Sequence, residues 1–142
     1  MRVVISSEPR LLSLLRGVVK YRAQEVGLPE SDSDAVALAV NEAASNVIRH
    51  AYANRHNELI ALEIQTYPDR VEFCVEDSGP KVRPETMQAK PLGELRVGGL
   101  GLHLINGVMD ACAFDENFAE GNRFRMTKLL PRKVSRGNET SA

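Results

Sequence analysis

Between Asp34 and His50 the chain carries apolar residues at Val36, Val40, Ala43 and Val47. That recurrence is the signature of a helix with one buried stripe. Glu42 and Asn46 fall one turn apart on a different face of the same helix. At 1.5 Å rise per residue their Cα atoms are about 6 Å apart along the axis, so both side chains can converge on one small ligand. A carboxylate and a carboxamide so placed suit Mg²⁺ and proton chemistry, although Glu and Asn on a helix also make an ordinary solvated face. Asp32 or Ser33 is expected to cap the start of this helix, and Asn54 or the polar turn after it to close the end.

Two further short motifs follow in order. Val71 to Pro80 alternates apolar and polar residues like a half-buried strand and ends on Asp77-Ser78-Gly79, an acid before a turn glycine. Gly98-Gly99-Leu100-Gly101-Leu102 then runs into an apolar, helix-compatible segment reaching Met109. Glycines let backbone N–H groups approach a phosphate, and a helix N-terminus adds a favourable dipole. Between them, Pro80 to Gly98 carries Pro84, Pro91 and Gly93 among Lys81, Arg83, Lys90 and Arg96. That composition suits a lid that moves over a bound ligand.

The remaining pattern predicts a strand at Arg2 to Ile5 and a helix from Pro9 to Val26 stopped by Gly27. Leu11, Leu12, Leu15, Val18 and Val19 would face inward from that helix. Strands at Glu58 to Thr66 and Arg70 to Glu76 are joined at Tyr67-Pro68-Asp69, and a second hairpin, Ala111 to Phe118 and Asn122 to Leu130, turns around Glu120-Gly121. The expected fold class is α+β, a two-layer sandwich with a mixed, mostly antiparallel sheet and helices on one face. Residues 1–131 read as one domain and 132–142 as a disordered tail.

Composition sets outer limits. The chain has 142 residues, 43% of them hydrophobic, enough for a real core. A net charge of −1 with interspersed signs carries no nucleic-acid footprint. No apolar run approaches the ~20 residues needed to cross a bilayer, and no secretory segment follows Met1, so a soluble cytoplasmic protein is expected. Cys74 and Cys112, like His50, His56 and His103, lack metal or redox spacing, and the cysteines read as reduced core residues.

Taken in order, the Glu…Asn helix, the strand ending Asp-x-Gly and the Gly-x-Gly entering a helix resemble the N, G1 and G2 boxes of the GHKL ATPases. The run from Leu38 to Tyr52, with its Ala-Val-x-Glu-Ala-x-x-Asn-x-x-x-His-Ala-Tyr form, is similar to the anti-sigma-factor serine/threonine kinases of that superfamily. The likeness spans about Val3 to Leu130. It implies the Bergerat fold, ATP and Mg²⁺ as cofactors, and phosphorylation of a serine on an anti-sigma-factor antagonist of the STAS type. It implies sequestration of a sigma factor as well, with the kinase as a homodimer. Glu42 would be the general base, Asn46 the Mg²⁺ ligand and Asp77 the acceptor for the adenine amino group. Gly79 would shape the adenine pocket, and Gly98, Gly99, Leu100, Gly101 and Leu102 would meet the phosphates. Arg96 is a candidate γ-phosphate contact. Pro80 departs from the family by replacing a second G1 glycine, which stiffens the entry to the lid.

The chemistry independently asks for these residue types. A serine hydroxyl needs a carboxylate to accept its proton, and Mg²⁺ accepts a single carboxamide beside phosphate oxygens and water. An ionised Asp77 suits an exocyclic amine and would be left unpaired by a guanine carbonyl. The alternative is a module that binds ATP and a regulator without transferring phosphate. The chain is too short to hold the dimerisation helices of a sensor histidine kinase or the transducer domains of gyrase-like enzymes beside the ATPase domain.

Overall fold

The computed structural model describes residues 1–82 and 97–131. Strand β1 (Arg2–Ser6) leads through a 3₁₀ turn (Pro9–Leu11) into α1 (Leu12–Glu25), followed by α2 (Glu30–Asn46), a π-helical turn (Val47–Ala51), β2 (Leu59–Thr66), β3 (Arg70–Asp77), α3 (Val97–Val108), β4 (Ala111–Phe114) and β5 (Asn122–Leu129). The five strands form one sheet in the order β1-β2-β3-β5-β4. Among the described residues every strand pairing is antiparallel, where a mixed, mostly antiparallel sheet was expected.

One sheet face is apolar because alternate positions supply it: Ile5, Ile60, Leu62, Ile64, Val71, Phe73, Val75, Phe124 and Met126 are all buried. The helices meet this face with Leu15, Val19 and Ala23 of α1, Val36, Val40 and Ala44 of α2, and Ile105 of α3, which with Met109 just beyond it completes the core. Each large aliphatic side chain so buried contributes about 1.5–3 kcal/mol. The opposite face is a lattice of ion pairs: Arg2 with Glu63 and Glu76, Arg123 with Glu76 and Asp115, Arg125 with Asp115 and Glu72. Among the described residues, helices cover one face only.

Several local expectations change. Neither Asp32 nor Ser33 caps α2. The helix begins at Glu30 with Pro29 at the N-cap position, and the Ser33 hydroxyl is buried and bonded back to the Leu28 carbonyl. Pro there needs no N–H donor, and Glu30 and Asp32 complement the helix dipole from the first turn. The predicted helix from Pro9 opens as a 3₁₀ turn. Strand β4 stops at Phe114 rather than Phe118, because the chain turns at Asp115-Glu116-Asn117 and the Phe118 N–H bonds to the Asp115 carbonyl. The G2 glycines do not precede α3 but lie within its first turns. Each costs the helix about 1 kcal/mol relative to Ala, offset by burial of Ile105 and Met109 further along.

The hairpin at Tyr67-Pro68-Asp69 closes with a Tyr67 N–H to Arg70 carbonyl bond, and Gly27 takes the left-handed φ (110°) that ends α1. Asn54 closes the α2 region as expected, with φ 63° and its N–H bonded to the Ile48 carbonyl. The tail from 132 and the lid interior from 83 to 96, including Arg96, lie outside the described residues.

Candidate active site

The helix α2 carries the first group of candidate residues. Its polar face places Glu42, Ser45 and Asn46 in one row, as i, i+3 and i+4 spacing requires, and the π-helical turn that follows (Val47–Ala51) adds Arg49 to it. The Arg49 guanidinium binds this whole row: Nη2 donates to Asn46 Oδ1 at 2.6 Å and to Glu42 Oε1 at 3.3 Å, and Nη1 donates to Ser45 Oγ at 2.9 Å. The acceptor oxygens of the predicted base and metal ligand thus converge on one cation. Both side chains remain partly open to solvent. Beyond Asn46 the helix widens into the π-helical turn, a local form frequent at functional sites. The widening carries the buried stripe from Val47, which is only partly buried, to Ile48 at 3% exposure.

That turn delivers Ala51 and Tyr52 to the end of β3. A Cβ built on Gly79 would stand 2.8 Å from both the Cβ and the carbonyl oxygen of Ala51, so only glycine allows this approach. Tyr52 is 1% exposed. Its hydroxyl donates to the Leu59 carbonyl and accepts the Ser78 N–H at 2.9 Å, binding the helix end to the Asp-x-Gly turn.

Asp77 ends β3 at 8% exposure. Its Oδ1 accepts the Gly79 N–H at 2.8 Å and the Asn122 Nδ2 at 3.0 Å. Both of these bonds fall on the same carboxylate oxygen. Burial raises the Asp77 pKa above the ordinary carboxyl value, against the opposing hydrogen bonds from Asn122 and Gly79 and the charge of Lys81.

Sequence reasoning missed Asn122, which is 3% exposed. Besides Asp77, its amide donates to the Pro80 carbonyl at 2.8 Å, and its Oδ1 accepts the Val82 N–H at 2.8 Å. It splints the lid's base to the acid. Gly121 before it has φ 76°, and a Cβ there would fall 1.9 Å from the Asp77 carbonyl oxygen. The only sequence signal was Glu120-Gly121, which read as an ordinary turn.

The helix α3, whose first turns hold Gly98, Gly99, Leu100, Gly101 and Leu102, packs against α2. Leu102 itself lines a cavity of about 320 Å³ with Val82, Asn106, Cys112, Phe114 and Phe124, between α3 and the β4–β5 edge. Glu42, Asn46 and Gly79 do not line that cavity. Both cysteines are free, Cys74 buried and Cys112 partly so, and no cluster of three metal-ligating side chains occurs among the described residues. No helix among the described residues is long and apolar enough to cross a membrane.

Comparison with known proteins bears on the family. Residues 5–128 match the family model of the histidine kinase-like ATPase domain. The serine-protein kinase RsbW of Halalkalibacterium halodurans is 30% identical over 138 residues, covering 92% of this chain and 83% of its own. That of Bacillus cereus is 31% identical over 138 residues, covering 91% and 84%. Among solved structures, the RsbU and RsbW domains of a Mycobacterium tuberculosis protein superpose over 91% of this chain and 31% of theirs at a TM-score of 0.61 and 17% identity. The mycobacterial sensor histidine kinase MprB does so over 93% of this chain and all of its own at 0.55 and 15%. These two share the fold. By sequence and architecture, the chain belongs to the histidine kinase-like ATPase family and, within it, to the RsbW serine-protein kinases.

Proposed function

We propose that this kinase is the nucleotide-gated member of a partner switch, an anti-sigma factor that phosphorylates a serine on a small STAS-type antagonist. The observation that carries the reading is the convergence of Glu42 Oε1 and Asn46 Oδ1 on a single cation, at 3.3 and 2.6 Å from one guanidinium nitrogen. Oxygen ligands of that kind fit Mg²⁺, with Asn46 as the ligand and Glu42 close by. When bound, Mg²⁺ neutralises charge on the triphosphate.

Glu42 accepts the proton of the antagonist's serine hydroxyl as that oxygen bonds to the γ-phosphorus and the bridge to the β-phosphate breaks, leaving ADP. Asp77 Oδ2 accepts the adenine amino group and thereby excludes guanine, whose carbonyl would face a carboxylate. Gly79 keeps the wall behind the base flat. The backbone at Gly98 to Leu102 and the side chain of Arg96 serve the phosphates. The working form is a cytoplasmic homodimer that holds a sigma factor until the antagonist displaces it.

The purified protein, incubated with Mg²⁺-ATP and the antagonist encoded nearest its gene, is expected to generate phosphoserine. Glu42→Gln is expected to bind ATP and yield none. Wild-type phosphorylation by that variant would remove Glu42 from the role.

A further inference from the structure

Arg49 has no part in the scheme above, yet it touches both residues on which that scheme depends. Its two terminal nitrogens bind Asn46, Glu42 and Ser45 together, whereas its Nε is buried and has no hydrogen-bond partner among the described residues. A buried, unpaired guanidinium N–H is unfavourable, so this side chain is held by the acceptors at its tip rather than by its surroundings. The π-helical turn, which begins at Val47, contains Arg49 and so sets where its stem leaves the backbone.

We propose that Arg49 is the resident counter-cation of the Glu42–Asn46 pair, a positioning residue that holds both oxygens aimed at one point and that Mg²⁺ must displace to enter with ATP. The inference rests on the metal reading of Asn46 proposed above. Two cations cannot share the Asn46 Oδ1 lone pairs and the Glu42 carboxylate at close range, because Mg²⁺ demands contact at about 2.1 Å with strict geometry. Guanidinium and metal therefore compete. The competition makes the nucleotide-free site preorganised and neutral, and it raises the Mg²⁺ concentration at which ATP binding becomes half-maximal.

The test is a Mg²⁺ titration of the binding of a fluorescent ATP analogue by the full chain, read by anisotropy without any phosphotransfer. Removing the competitor in Arg49→Met is expected to lower the half-saturating Mg²⁺ concentration about two- to fivefold, the range that a partly exposed ion pair contributes. Arg49→Lys retains a cation but not the fork and is expected to fall between the two. Arg49→Gln, polar and neutral, is expected to follow Arg49→Met, which separates loss of charge from altered packing. Far-UV circular dichroism checks that α2 is intact in each.

An unchanged or higher Mg²⁺ midpoint in both neutral variants would overturn the proposal, as would weaker nucleotide binding at every Mg²⁺ concentration without a shift in midpoint. Wild-type binding that ignores Mg²⁺ altogether would instead defeat the metal reading of Asn46, and the proposal with it.

Discussion

The side-chain amide of Asn122 donates to Asp77 Oδ1 at 3.0 Å while holding the Pro80 carbonyl and the Val82 N–H with its remaining groups. One buried residue at the start of β5 thus fixes the predicted adenine acceptor and the first residues of the lid together. Truncation to Asn122→Ala strands the Val82 donor and the Pro80 acceptor. A loss of about 1–3 kcal/mol in urea unfolding is expected, with weaker ATP binding. Wild-type values for both would show that the splint is dispensable.

The raised pKa of Asp77 has a definite sign for stability. The folded state holds the proton more tightly than the unfolded state, so stability falls as pH rises from the ordinary carboxyl range through the raised folded value. Asp77→Asn abolishes that titration, and its carbonyl oxygen can still accept the Gly79 and Asn122 donors. The variant is therefore expected to match or exceed wild-type stability at pH 7, to lose the fall across that window and to bind ATP poorly. Urea melts from pH 4 to 7 check this. A clear loss of stability at pH 7 would mean that the ionised carboxylate supports the fold.

Gly79 and Gly121 flank the Asp77 turn with different tolerances. At Gly79 a methyl group meets Ala51 at 2.8 Å, whereas at Gly121 it meets the Asp77 carbonyl at 1.9 Å with the backbone at φ 76°. Gly79→Ala is expected to cost about 1–3 kcal/mol by overpacking, and Gly121→Ala more. Thermal melts give the order, and the reverse order would contradict the packing described.

Tyr52→Phe removes one oxygen that serves both the Leu59 carbonyl and the Ser78 N–H. The expected loss is about 1 kcal/mol in stability. Faster amide exchange at Ser78 and Gly79 is expected alongside it, because the helix end no longer restrains the turn. Unaltered exchange there would show that Gly79 packing on Ala51 suffices.

Much of the framework was legible because periodicity is local. Val36, Val40 and Ala43 announced the buried stripe of α2, and alternation announced β2, β3 and β5. The resemblance of three short motifs then supplied the family. What sequence could not show are relations across space. Asn122 meets Asp77 from 45 positions along the chain, and nothing in Glu120-Gly121-Asn122 distinguishes it from any hairpin turn. The π-helical turn was invisible because Val47 fits the regular helical stripe as well as Ile48 does. Arg49 drew no assignment from the sequence, and its role rests on the acceptors at Glu42, Ser45 and Asn46 around it. The glycines of the third motif read as running into α3 rather than as its first turns because their intrinsic helix propensity is poor, and packing of α3 on α2 overrides it.

Amide chemical-shift mapping on adding Mg²⁺-ATP bears most directly on α2 as the shared wall of one nucleotide site. The prediction is that Glu42 and Asn46, Asp77 to Gly79, and the first turns of α3 from Gly98 to Leu102 shift together with a single midpoint. Shifts confined to the cavity lined by Asn106, Cys112 and Phe124, with Asn46 and Gly79 unmoved, would contradict it.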